Sequence, residues 1–246
     1  FINNRCLPIR PEYYGNWTVG DGKYYYALHP AQQILYEYDV ATGSESEISY
    51  TLFQDGFITN IEYHGEWLIY LDLQSSYATG HWKLIALRLS DKEMVVVKES
   101  HDEFLTVHNR YSAFYDNKVY QTEVVISDNA PKQYNRLIVF DLLTKQEEVL
   151  MDFEIEDTIY TIIGASNGYL VLDKTPVDVS VRSLANIVLV SLADMRFMPL
   201  ALTAPVSAPS IDYPWVIWKN AYRNDFAKVG SIYNIETGQL NYLPVP

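Results

Sequence analysis

The chain has 246 residues, is 48% hydrophobic, and carries 18 Lys and Arg against 31 Asp and Glu, a formal net charge of −13. That size allows one or two domains with a substantial core. The acidic balance argues against nucleic acid as a partner, because a phosphate-binding face needs clustered basic residues, and it disfavours anionic membrane surfaces. No apolar run approaches the ~18–20 residues of a membrane-spanning helix.

The chain opens on Phe1, which points to a removed signal or anchor or to an excised domain, and its single cysteine, Cys6, excludes an internal disulfide. From there one unit recurs five times: an apolar strand, a turn of Asp, Thr, Gly or Lys, and a second apolar strand. The copies begin at Tyr36-Glu37-Tyr38-Asp39-Val40-Ala41-Thr42-Gly43 and return at Ile85–Lys92, Ile138–Lys145 and Val188–Met195. The last is Ser231-Ile232-Tyr233-Asn234-Ile235-Glu236-Thr237-Gly238. Aligned on Asp39, Arg88, Asp141, Ser191 and Asn234, the steps are 49, 53, 50 and 43 residues. A period in that range marks propeller blades or another array.

Upstream of each copy lies a second hairpin signal. It reads Asp21-Gly22, His64-Gly65, Asp116-Asn117 and Asn167-Gly168 in the first four repeats, pairs that tolerate the positive φ of a tight turn. The fifth has Tyr213-Pro214, so its turn differs in type, because proline lacks an N–H and has a fixed φ. Each repeat therefore supplies four strands, A to D, as an A–B hairpin and a C–D hairpin. Four antiparallel strands in ~40–50 residues make one propeller blade. No segment holds a 3.6-residue apolar period over ten residues, so almost no helix is expected. The fold class is all-β, a β-propeller of five four-stranded antiparallel blades over roughly 13–52, 57–99, 104–153, 158–202 and 207–246. These form a single domain, with residues 1–12 available to add a closing strand.

The A–B and C–D turns are short, whereas the B–C connections are long in repeats two to five, at 73–82, 126–135, 175–185 and 220–229. In an antiparallel meander the short turns share one edge and the long loops the other. Function is sought on the long-loop edge, because loops on a rigid scaffold concentrate binding residues. Its candidates are Tyr77, His81, Trp82, Tyr134, Arg136, Tyr222 and Arg223, of types enriched at binding hot spots.

The fifth repeat, with Trp215-Val216-Ile217-Trp218 ahead of Ser231–Gly238, and the first repeat, Leu35–Gly43, resemble blades of the TolB-like bacterial propellers and, more broadly, WD-like repeats. Those blades pair a Val-Val-Trp strand with an Ile-Tyr-x-Tyr-Asp-x-x-Thr-Gly strand and turn. The second and fourth repeats lack the Thr-Gly pair and the Asp. The resemblance implies an exported or surface-tethered bacterial propeller used for binding or scaffolding, and it carries over no catalytic residue.

The links into strand A carry carboxylates at matching places, among them Asp55, Asp102 and Asp157. Strand A is innermost in a propeller, so these could ring the mouth of the central channel. Converging oxygens there would hold a hard cation such as Ca²⁺, or act as paired acid and base; as ordinary loop carboxylates they would do neither. No Gly-x-Ser-x-Gly elbow, Gly-rich phosphate loop or His-Glu-x-x-His occurs. The leading expectation is a non-catalytic module, outside the cytoplasm and without a required cofactor, that binds a protein, peptide or glycan. One alternative is a five-bladed glycosidase using the channel-mouth carboxylates. The other is an assembly module pairing through exposed strand D, at 94–97, 148–151 and 240–243.

Overall fold

The structure, a computed structural model, describes residues 17–27, 33–74, 81–100, 112–126, 133–155, 158–176, 186–200, 206–220 and 229–244. They form strands and turns, with no helix among them. The first sheet is β1 (Trp17–Gly20), β2 (Lys23–Ala27), β3 (Ile34–Asp39) and β4 (Glu45–Tyr50). The second is β5 (Gly56–His64), β6 (Trp67–Gln74), β7 (Trp82–Arg88) and β8 (Met94–Glu99). The third is β9 (Ser112–Tyr115), β10 (Lys118–Ile126), β11 (Gln133–Asp141) and β12 (Gln146–Ile155). The fourth is β13 (Thr158–Ser166), β14 (Tyr169–Pro176), β15 (Asn186–Ser191) and β16 (Arg196–Pro199). The fifth is β17 (Val206–Asp212), β18 (Trp215–Asn220), β19 (Val229–Asn234) and β20 (Leu240–Pro244). In every sheet the spatial order is the chain order and all pairs are antiparallel. These are the five expected blades of a β-propeller. The chain divides into two compact units, Phe1–Thr106 with two blades and Val107–Pro246 with three.

The turns explain why the repeat has the residues it has. At each A–B turn of the first four blades at least one residue has positive φ: Asp21 and Gly22, Gly65, Asp116 and Asn117, Asn167 and Gly168. In the second blade the turn is Gly65-Glu66, one residue later than the sequence suggests, because His64 still pairs with Trp67. The fifth turn differs as expected, with a cis Tyr213-Pro214 bond.

Each C–D turn also places one residue in the left-handed region: Gly43, Lys92, Lys145, Met195 and Gly238. The Asp or Asn at the end of strand C closes that turn. Asp39 Oδ1 accepts from the N–H groups of Ala41 and Thr42, both at 2.8 Å, and Asp141 Oδ1 accepts from Leu143 and Thr144, both at 2.9 Å. Asn234 Oδ1 accepts from Thr237 N–H at 2.9 Å. The second blade has Arg88 at this place, and its guanidinium grips Asp91 of the turn at 2.9 and 3.0 Å instead.

The two turns of each blade are tied together. The residue after strand C donates its N–H to the A–B turn in all five: Val40 to Gly22, Leu89 to Glu66, Leu142 to Asn117, Leu192 to Gly168 and Ile235 to Pro214, at 2.8–3.2 Å. Both tight turns of a blade therefore lie at one edge, and the B–C connections lie at the other.

Side chains alternate between the two faces of a strand, and both faces are apolar. In the first unit Tyr25, Ala27 and Leu35 of the first blade pack on Ile58, Leu68, Tyr70, Ile85 and Leu87 of the second. In the second unit Tyr120, Leu137 and Val139 of the third blade pack on Ile162, Leu170, Leu172, Val188 and Val190 of the fourth. The opposite face of the fourth blade, Val171, Ile187 and Leu189, packs on Val216 and Trp218 of the fifth. Each buried Val, Leu or Ile among them contributes about 1.5–3 kcal/mol on burial.

The left-handed turn positions give a direct test. A Cβ on Gly43 would meet only the Tyr38 hydroxyl, at an ordinary contact distance of 3.7 Å, so it is the backbone angle that resists a side chain. Lys92, exposed at the equivalent place, bears that backbone cost. Urea denaturation is expected to show Gly43→Ala destabilised by about 1 kcal/mol and Lys92→Gly stabilised by about 0.5–1 kcal/mol.

Candidate functional site

The loop edge is where the expected site residues fall, and the described residues reach its base. His81 and Trp82 stand where the B–C connection of the second blade enters β7. The His81 carbonyl accepts from Gln74 N–H at 3.0 Å, which closes the mouth of that connection. Trp82 N–H donates to Ser100 Oγ at 2.9 Å, and its carbonyl accepts from Ser100 N–H at 3.0 Å. The indole of Trp82 is only 2% exposed, so it serves the packing of the sheet; among the described residues its Nε1–H has no acceptor.

Arg136 sits mid-sheet in β11, in register with Glu123 on one side and Asp152 on the other. Its guanidinium bonds both oxygens of Asp152, at 2.7 and 2.9 Å, with Glu123 at 3.8 Å. The same contact holds the Asp152 carboxyl below its ordinary range. Tyr134 lies on β11 opposite Glu154, with its side chain outside the described residues. Tyr77, Tyr222 and Arg223 also lie outside them.

Of the three acidic candidates, Asp55 is exposed in the turn before β5, and Asp102 and Asp157 lie outside the described residues. Among the described residues no group of three or more His, Cys, Asp or Glu side chains could hold a metal ion.

A second set of polar groups shows only in the structure. These are buried side chains that hold the backbone of a neighbouring blade or link. Asp72, in β6, accepts from the Thr51 hydroxyl and from Leu52 N–H at 2.6 Å, and so fixes the link that leads into the second blade. A Cβ on Gly56 would lie 2.2 Å from Thr51 Oγ1 and 3.1 Å from Asp72 Oδ1, so only glycine fits under this clamp. In the second unit Asn135 Oδ1 accepts from Tyr160 N–H at 2.5 Å and Thr122 Oγ1 accepts from Ile162 N–H at 3.2 Å. Third-blade side chains thus satisfy the free edge of β13. Ser166 Oγ accepts from Tyr213 N–H at 3.1 Å and does the same for the fifth blade. The signal in the sequence was a lone polar residue inside an apolar strand, as in Trp67-Leu68-Ile69-Tyr70-Leu71-Asp72-Leu73. Such a residue is expected to be hydrogen-bonded when buried.

Among the described residues these polar side chains hold one blade or link against the next, and each four-stranded sheet is one blade. This arrangement defines the class of protein as a β-propeller. No family model matches the chain, and no curated protein matches it. Solved structures do. The β-propeller domain of the Trilobed protease from Pyrococcus furiosus superposes with a TM-score of 0.64 at 9% identity, over 91% of this chain and 65% of that one. An oligogalacturonate lyase in complex with manganese gives 0.61 at 12% identity, over 90% and 61%. TolB from Acinetobacter baumannii gives 0.55 at 13% identity, over 88% and 50%. This chain thus spans half to two thirds of those chains, and at such identities the likeness is one of fold.

The Asp72 clamp makes a pH-dependent prediction. Burial raises the Asp72 carboxyl above its ordinary value, the Thr51 and Leu52 donors only partly offsetting it. The folded chain therefore holds that proton more tightly than the unfolded one. The stability this gives is complete below the ordinary carboxylate pKa and is lost as pH rises through the raised value. Asp39 and Asp141 run the other way, lowered chiefly by the turn N–H groups of Thr42 and Thr144, so their contribution is lost as pH falls through the lowered values. Chemical denaturation of Asp72→Asn against wild type should show the variant gaining relative stability between about pH 4 and pH 7. Asp72→Ala, which strands the Leu52 and Thr51 donors, should lose about 2–3 kcal/mol.

Proposed function

We propose that this chain is a non-catalytic propeller that binds a protein, peptide or glycan on the edge opposite its tight turns, as part of an exported or surface-tethered bacterial protein. The observation that supports this reading is the backbone tie, repeated in all five blades, between the residue after strand C and the A–B turn. That edge is short and satisfied by its own hydrogen bonds. The other edge carries the B–C connections, which vary in length and composition and hold Tyr77, Tyr222 and Arg223. Tyr and Arg join large contact area to hydrogen-bonding tips and dominate binding energy at interfaces. The likeness to TolB in fold, and the resemblance of the first and fifth repeats to TolB-like blades, support placing the protein outside the cytoplasm.

The test screens the purified chain against immobilised glycans and a displayed peptide library, then measures affinity for the strongest hit. Tyr77→Ala, Tyr222→Ala and Arg223→Ala are each expected to weaken it tenfold or more, about 1.4 kcal/mol. Glu236→Ala, in the tight turn of the fifth blade, should leave it unchanged. Loss of affinity in the turn variant with no effect of the loop variants would overturn the assignment of the face.

A further inference from the structure

Strand D is the last strand of each sheet, and the sequence marks three such edges, at 94–97, 148–151 and 240–243, as places for another chain to pair. The structure separates them. Edge strands are guarded against such pairing by bulges, by charge or by being very short. β4, β8 and β12 each carry one extra residue at the same place, Ile48, Val97 and Leu150, where the register against strand C shifts. Each also bears charge: Glu45 and Glu47, Lys98 and Glu99, Glu147 and Glu148. β16 has only four residues, among them the exposed Arg196, and ends at Pro199. β20 has neither guard: it pairs with β19 without a register shift and holds no charge. Its sheet lies within the second unit, and Asn241 and Tyr242 are exposed, Tyr242 by 57%.

The ladder gives the direction of the backbone groups on this edge. Asn234 N–H donates to the Gln239 carbonyl at 2.9 Å, and bonded and non-bonded pairs alternate along an antiparallel ladder. Asn241 and Leu243 therefore bond to β19, opposite Ile232 and Gly230. The N–H and C=O of Leu240 and Tyr242 point the other way, and among the described strands none pairs with them. Pro244 ends the strand with a carbonyl but no N–H.

We propose that the β20 edge pairs with the β20 edge of a second copy, antiparallel about a two-fold axis through Tyr242. The two copies of Tyr242 then exchange N–H···O bonds, and each Leu240 N–H meets the Pro244 carbonyl of the other copy. Charge argues for this occupant. A two-fold contact sets a surface against itself, and like charges directly opposite are unfavourable. Every other D edge would bring its own charges together, Arg196 of β16 included. β20 brings none, and at its axis Tyr242 meets a second aromatic ring, a favoured cross-strand pair. Pro244 bounds the ladder, because pairing beyond it lacks a donor. The contact uses neither the tight turns nor the B–C connections, so it is independent of the binding reading above.

Light scattering of the purified chain from about 1 to 500 µM should show the mass approaching twice that of the monomer and stopping there, because a two-fold contact closes. Each copy carries a net charge of −13, so raising NaCl from about 50 to 500 mM should strengthen the association. Tyr242→Glu puts like charges on the axis, and Tyr242→Pro removes the outward N–H without touching the β19 ladder. Each should hold the chain monomeric with an unchanged circular dichroism spectrum. The pair keeps the test sharp should either variant fold poorly. Val149→Glu makes the same kind of change on the bulged β12 edge and should leave the dimer intact. A wild-type monomer at every concentration, as when another segment of the chain covers this edge, would overturn the proposal. So would a mass that climbs past the dimer, association that weakens with salt, dimers in both Tyr242 variants, or loss of the dimer in Val149→Glu.

Discussion

Sheets that are apolar on both faces are the constraint on which everything else in this chain depends. A sheet with one apolar face is satisfied by one partner layer. Here Leu170 and Leu172 of β14 face one neighbour while Val171, between them, faces another. The strand must be apolar at successive positions rather than alternate ones, and β6 shows the extreme, with Trp67–Leu73 buried throughout and apolar except for the clamp residue Asp72. Sheets of this kind are stable only in a stack. The repeat, its period and its short meander within each blade are the economical way to write such a stack in one chain.

The same two-sidedness explains where polar groups go. Strand A has one edge paired with strand B and one edge free, and unpaired N–H groups away from water carry a cost of about 1–3 kcal/mol each. Asn135, Thr122 and Asp72 meet that need from the neighbouring blade or the adjoining link. Each supplies its hydrogen bond only if the blades keep one rotation and one register, which apolar contact alone would not specify. Tyr70 illustrates the join of the two kinds of contact. Its ring fills the interface of the first unit, and its hydroxyl, bonded to Ser49 at 3.0 Å, is pushed by burial up to about 12 and stays a donor.

Much of the fold was legible because its signals are local. Asp39, Arg88, Asp141, Ser191 and Asn234 align in sequence because all end strand C and begin the same turn. A turn is made by residues a few positions apart, so its chemistry survives in a short word. The second-blade turn was misplaced by one residue because a His-Gly pair reads like a turn, whereas the pairing of His64 with Trp67 keeps it in the strand. The candidate site was legible only as an address. Arg136 reads as an exposed loop cation, yet Glu123 and Asp152 meet it across two strand pairs, a coincidence of register that no local word records. Trp82 reads the same way and is buried, because the side on which an aromatic enters a strand is decided by pairing with Leu73 rather than by its neighbours in sequence.

This division between edges has a consequence for how such a chain can acquire function. At the tight-turn edge the tie from strand C to the A–B turn links two hairpins, so a change there disturbs both at once. Lengthening a flexible loop, by contrast, costs little, about 0.6 kcal/mol for each doubling. The two edges therefore differ in how freely they vary even though the same sheets support both. The left-handed residues make the point at finer scale: Lys92, Lys145 and Met195 are retained where glycine would relieve the backbone, and the frame absorbs each at a cost of about 1 kcal/mol. A stack stabilised by many buried apolar side chains can carry such local penalties in its turns. The same stack supports the turns at one edge and the B–C connections at the other, so the penalties of either fall outside the buried apolar contacts that hold the blades together.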